Sequence, residues 1–347
     1  MPLHRTLSAA GAFWLAAFTY FIWGFTFLAS RIAQDYGTPF VLLFWRFALA
    51  FALLNLPRLT GRFPVRLRAR KLWPVLLAGL FEPVLYFPCE QYGLKLTSTS
   101  FSGVMVALIP LCSLVYGAIF LHEKATWRQV VFSVLSVAGV IVLAVYATGI
   151  GAGSFLGFLI LLGTVFAGAG YMVACRACAG SFTAFERTYI TCGMGAAAFG
   201  VLSVLEHRHD LSAVVLPMTH APFALAIVFL SVVASVLSYL ALNRALEVLP
   251  VARTAALINL STVVSVLAGV LILHEPFGWV SAMASAAIAY PAASPHQPRT
   301  AAKPVFPQSF HRVFHIFAGF PQRLSFPLAF FERDGVRSSE LCVLTAQ

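Results

Sequence analysis

Apolar runs of roughly twenty residues follow one another along this chain, and short segments between them carry most of the charge. Few folds accommodate such a pattern. In hydrocarbon every backbone N–H and C=O must be satisfied internally, so spanning segments are helices or closed barrels. Runs of this length, without strand-like alternation, are helices. They lie near 9–30, 39–56, 73–92, 101–121 and 129–147, then near 155–174, 188–205, 222–242, 254–273 and 277–290. The pattern predicts an all-α integral membrane protein with ten transmembrane helices. Composition agrees: 60% of residues are apolar and 10% charged, against about 45–50% and about 25% in soluble domains. The net charge of +11 does not imply nucleic acid, because the basic residues sit between the runs; the lipid bilayer is the expected partner. The basic N-terminus followed by a long run reads as a first span rather than a cleaved leader.

Basic residues orient the chain. The segment RLTGRFPVRLRARK (58–71) holds six Lys or Arg and no acid, which predicts a cytoplasmic loop. The loops near 122–128, 175–187 and 243–253 are also basic and fall on the same side, whereas 148–154 and 274–277 have neither Lys nor Arg. Both termini are then expected in the cytoplasm.

Two Leu-His-Glu stretches, 121–123 and 273–275, invite a metal reading. The zinc-protease spacing His-Glu-x-x-His fails at both, with Thr126 and Gly278 in place of the second His. Cys175 and Cys178 form a lone CxxC with no second ligand pair, so no metal, cofactor or disulfide framework is expected. No phosphate loop or nucleophile elbow is present, and an enzyme is not expected.

The Leu-His-Glu stretches mark a repeat instead. Shifting the chain by 152 residues lays 91–123 over 243–275 without a gap, pairing Leu94 with Leu246 and Ser113 with Ser265. Five spans in each half force the second half to enter the membrane from the opposite side. That is the inverted-repeat plan of many secondary transporters. Glu123 and Glu275 are then expected on opposite faces. The boundaries read as 9–147 for the first repeat, 155–290 for the second and 291–347 for an irregular C-terminal tail.

The segments FIWGFTFLASRIA (21–33), FVLLFWRFALA (40–50), residues 93–144 and residues 239–279 resemble bacterial EamA-type permeases of the drug/metabolite transporter superfamily. The resemblance covers about residues 10–290. It implies a ten-helix fold of two inverted repeats, a bacterial inner (cytoplasmic) membrane, and export of a small metabolite, amino acid or drug-like compound.

Ionisable groups within spans are costly and are functional candidates. Arg46 and Glu82 lie in adjacent spans, each 11 residues from the inner boundary, about 16 Å deep at 1.5 Å per residue. Their depth predicts an ion pair. Glu82, Tyr86 and Glu90 follow at i, i+4 and i+8 and should share a helix face, with Pro83 and Pro88 bending the helix. The shift places Ala234 and Leu242 opposite the two acids, so the scaffold does not require them. Trp23, Tyr20, Tyr171, Tyr239 and Asn259 are further candidates for a substrate cavity. Gly163, Gly168 and Gly170 are expected to permit close helix packing. No nucleotide site is present, so an ion or substrate gradient is the expected energy source.

The tenth run is short before Pro291, and residues 291–347 are rich in Pro, Phe and Arg without helical period. A change of reading frame near residue 290 would account for this. The chain would then be a non-transporting or defective membrane protein with an altered C-terminus, and the nucleotide sequence tests that alternative.

Overall fold

The structure is a computed structural model that describes residues 7–61, 63, 65, 72–120, 127, 131, 154–249, 251, 254, 257–274 and 278. The expected spans near 129–147 and 277–290, apart from Val131 and Gly278, lie outside these residues. So do the tail 291–347, Glu123 and Glu275. The described part is helical throughout and contains no strand.

Local chemistry sets the helix starts. α1 (Ala9–Gln34) begins where the Ser8 hydroxyl accepts from Gly11 N–H at 3.1 Å, which satisfies one orphan donor of the first turn. α2 (Pro39–Leu59) carries Pro at its first position, where the missing N–H costs nothing. α3 (Trp73–Gly79) and α4 (Tyr86–Leu96) are parted by Leu80–Leu85, where Glu82 leaves the helical region at φ −144° and ψ 113°. α5 (Thr99–Val106) starts on the Ser98 hydroxyl and leads through a turn into α6 (Ile109–Phe120). α7 (Phe155–Cys178) starts on Ser154, whose hydroxyl accepts from Gly157 N–H at 2.9 Å. α8 (Ala184–Glu206) opens on a reciprocal Thr183–Glu186 capping box.

Beyond a short helical connection, α9 (Ala221–Val228) runs into a π-helical stretch, Phe229–Leu237, and then α10 (Ser238–Ala245). α11 (Ile258–Ile272) is the last described helix, and His274 follows it with a φ of 52°.

Among the described residues, six helical stretches are long and apolar enough to cross a bilayer: Ala9–Gln34, Pro39–Leu59, Thr99–Phe120, Phe155–Cys178, Ala184–Glu206 and Ala221–Ala245. The surface agrees with lipid contact. Trp14, Phe155, Leu225 and Leu271 are exposed, while Arg46, Glu82, Glu90 and Arg187 are buried. Charge inside and hydrocarbon outside is the distribution a bilayer requires.

The first helix of each half packs into the other half. α1 lies against α10 and α11, and α7 lies against α4 and α6. Glycines make this possible. A Cβ on Gly24 of α1 would sit 2.4 Å from Val264 Cβ of α11, and one on Gly170 of α7 would sit 2.7 Å from the Phe81 ring. Gly163 and Gly168 are likewise closed in by Cys89 and by Ile109 with Tyr86. All three expected packing glycines occupy close contacts.

Arg187 departs from its expected place. Read as a loop charge, it is buried within the first turn of α8, where Nη1 donates to Cys175 O at 3.0 Å and Nη2 to Asn243 O at 2.6 Å. Glu247 Oε1 stands 3.1 Å from the same Nη2. Its charge is consumed in tying α7, α8 and α10 together and is not displayed to solvent.

Candidate functional site

A partly open cavity, with about 530 Å³ of space between atoms when its open side is included, lies where the two halves meet. Tyr20, Trp23 and Thr26 line it from α1, Arg46 from α2, and Glu82, Tyr86 and Glu90 from the broken helix. Gly168 and Tyr171 of α7, Leu242 of α10, and Ile258 and Ser261 of α11 close it. Gly168 leaves room for the Tyr86 ring, which lies 3.1 Å from where a Cβ would be.

Arg46 is 1% exposed. Its Nε donates to Ser235 Oγ at 3.0 Å, and its guanidinium lies 4.3 Å from the Phe87 ring centroid. A cation over an aromatic face is partly compensated for lost water. Nη1 has no hydrogen-bond partner among the described residues. The expected ion pair with Glu82 is absent: both side chains face the cavity, but none of the salt bridges among the described residues joins them. Ser235 and Phe87 hold the guanidinium in place of the carboxylate.

Glu82 is bound from the second half. Tyr239 Oη donates to Glu82 Oε1, and the Tyr239 ring packs edge-on against Trp23 and Tyr171. Trp23 in turn donates its indole N–H to Ala234 O at 2.9 Å. That carbonyl belongs to the π-helical stretch, where wider winding alters backbone pairing. Glu90 Oε2 accepts from Gln91 Nε2 at 3.0 Å.

Glu82, Tyr86 and Glu90 do reach one cavity, but not as a continuous helical stripe. The backbone break at Glu82 interrupts the period, and Tyr86 and Glu90 alone keep helical spacing on α4. Tyr20, Trp23 and Tyr171 line the cavity, whereas Tyr239 stands behind Glu82 and is not part of the wall. Asn259 is buried but does not line it either. Met172 and Ser261 join the wall without having been named from sequence, and so does Leu242, which sequence marked only as the repeat counterpart of Glu90. The first two are ordinary residues of apolar helices, and nothing in their spacing marks them.

The wall can hydrogen-bond both signs of charge. One guanidinium with a spare donor shares the wall with two glutamates and with tyrosine and serine hydroxyls. Among the described residues no group of His, Cys, Asp and Glu could hold a metal ion.

Comparison with known proteins places the chain in a family. The chain is 33% identical over 270 residues to an uncharacterized transporter, YcxC, of Bacillus subtilis, spanning 77% of this chain and 86% of that one. It is 29% identical over 136 residues to a probable terminal-alkyne amino-acid exporter of Streptantibioticus cattleyicolor, spanning 39% of this chain and 45% of the other. A solved crystal structure superposes with a TM-score of 0.63 at 21% identity, covering 82% of this chain and 96% of that chain, and so shares the fold. The EamA-like transporter family matches twice, over residues 10–145 and 155–290. The chain therefore belongs to the EamA-like transporter family, as a multi-pass membrane transporter.

Proposed function

We propose that the protein exports a small amphoteric solute of the amino-acid type across the bacterial inner membrane by alternating access. The observation that carries the reading is the cavity's paired polarity: the unpartnered Arg46 Nη1 sharing the wall with Glu82 and Glu90. A solute with a carboxylate and an ammonium group would satisfy both, and an isolated charge of either sign would satisfy only one. The relative named as an amino-acid exporter supports this class.

In this reading each half supplies five spans, ten in all, and the halves are inverted, with 9–147 and 155–290 as the repeats. Both termini are cytoplasmic. Tyr86 and Trp23 form the aromatic walls, and Tyr239 and Asn259 support them from the second half. Glu82 exchanges a proton or the solute's ammonium group as the halves rock. Its exchange of partners couples the solute to an ion gradient.

The test uses purified full-length protein in vesicles loaded with unlabelled amino acids. Exchange of external labelled amino acid should be saturable and should require the protein. Glu82→Gln should insert and fold normally but lose exchange. Exchange at the wild-type rate in Glu82→Gln would remove Glu82 from the mechanism, and no exchange of any amino acid by the wild type would reject the solute class.

A further inference from the structure

Two buried amides occupy matching places in the halves. The 152-residue shift that overlays the repeats puts Gln91 on Asn243, and both side chains are wholly buried. Gln91 Nε2 donates to Glu90 Oε2 at 3.0 Å and to Ser30 Oγ at 3.2 Å. Gln34 Nε2 donates to Gln91 Oε1 at 2.9 Å and to its backbone carbonyl at 3.1 Å. Gln34 ends α1, and Asp35 beyond it is exposed.

Asn243 does the same work elsewhere. Its Nδ2 donates to Thr188 Oγ1 at 3.1 Å and lies 3.4 Å from Tyr171 Oη. Its backbone carbonyl accepts from Arg187 Nη2 at 2.6 Å. Arg187 continues to Glu247, and Glu247 accepts from Arg244 Nη1 at 2.5 Å, whose side chain is 40% exposed. The Gln91 side chain thus links Glu90 of the cavity wall to Ser30 and Gln34 near the end of α1, and the Asn243 side chain links Tyr171 of the wall to Thr188, while the path through Arg187 and Glu247 to the exposed Arg244 leaves from the Asn243 backbone.

The two links sit at opposite ends of the cavity. Thr19 donates to Ser238 O and Trp23 to Ala234 O, so α1 runs antiparallel to α10. Following α10 to Asn243 leads toward the start of α1, whereas Gln91 meets α1 at Ser30 and Gln34. Thr19 and Ser30 are 11 residues apart, about 16 Å of helix, and Asn243 lies a further turn beyond Ser238.

An uncharged amide suits a contact that must break and re-form. Each such bond contributes little net, because water competes for both partners, and stranding a buried ion costs more. Each cluster also keeps one carbonyl oxygen without a partner among the described residues, Gln34 Oε1 in one and Asn243 Oδ1 in the other.

We propose that Gln91 and Asn243 are an equivalent pair of gate residues, one closing each end of the cavity, which part in alternation as the transporter cycles. The proposal rests on the alternating-access reading above. Its test does not depend on the solute. All six native cysteines are replaced, a reporter is placed on the cavity wall by Thr26→Cys, and labelling by a membrane-impermeant maleimide is measured from each side of oriented vesicles. Gln91→Leu should raise labelling at least fivefold from one side, and Asn243→Leu at least fivefold from the other. With the topology proposed above, Gln91→Leu acts from the outside. The reverse order still supports the gates and overturns only that topology.

Labelling raised from the same side by both variants, raised from both sides by either, or unchanged by both would overturn the gate assignment. Where Leu blocks insertion, Gln91→Ser and Asn243→Ser carry the same comparison, because Ser stays polar but cannot span the helices. The readout needs no transport, so a wrong solute class leaves it interpretable.

Discussion

Tyr239 in the second half donates its phenol proton to the Glu82 carboxylate in the first, across 157 residues of sequence. Glu82 stands where its own helix is broken, so the carboxylate is held by a partner from the other half. Any rocking of the halves must stretch or replace this contact.

Tyr239→Phe keeps the ring against Trp23 and Tyr171 and removes only the hydroxyl. We expect solute exchange to slow about tenfold, the equivalent of about 1.4 kcal/mol, with unchanged chromatographic behaviour in detergent. A wild-type exchange rate in this variant would show that Glu82 does not depend on its neighbour.

Arg46→Lys keeps a positive charge but loses the planar fork that reaches Ser235 while presenting a spare donor to the cavity. The half-saturating solute concentration should rise about tenfold, and the maximal rate should change less. Equal effects on both parameters would argue that Arg46 serves the cycle and not solute recognition.

Much of this arrangement can be read from the chain alone, and the rest cannot, for identifiable reasons. Apolar run length exposes the helices because the bilayer imposes it. Arg46, Glu82 and Glu90 stand out because charge in hydrocarbon is rare. The partner of each charge is another matter. Arg46 takes Ser235 and the Phe87 ring instead of Glu82, and no periodicity within one helix predicts a contact between distant ones. Arg187 looks like a loop charge by its position near an inner boundary, yet three backbone and side-chain acceptors converge on it. Gln91 and Asn243 look unremarkable until the repeat register and their burial are considered together.

Packing between the halves should be sensitive at Gly24. A Cβ there meets Val264 Cβ at 2.4 Å and Ser261 O at 2.9 Å, so Gly24→Val must push α1 from α11. We expect a loss of about 1–3 kcal/mol, seen as a lower midpoint in thermal melts of the detergent-solubilised protein. An unchanged midpoint would mean that the contact between α1 and α11 is looser than described.

Thr183→Ala removes the hydroxyl that accepts from Glu186 N–H at 3.2 Å and breaks the capping box of α8. The expected cost is about 1 kcal/mol, localised as faster amide exchange in the first turn of α8. Exchange that stays slow there would mean that the Arg187 contacts alone secure the helix start.

The stretch Phe229–Leu237 carries a consequence of another kind. Its bonds reach back five residues, as where Ser238 N–H meets Val233 O, so the winding holds more residues per turn than an α-helix. Here chain length, not side-chain chemistry, sets the aim of Tyr239. Deleting one residue while the rest of the winding is kept would turn all that follows by one residue's share of a turn, on the order of 80–100°. Tyr239 would then point away from Glu82. An insertion or deletion in this segment could therefore redirect the cavity wall in one step, a change that substitutions would have to make residue by residue.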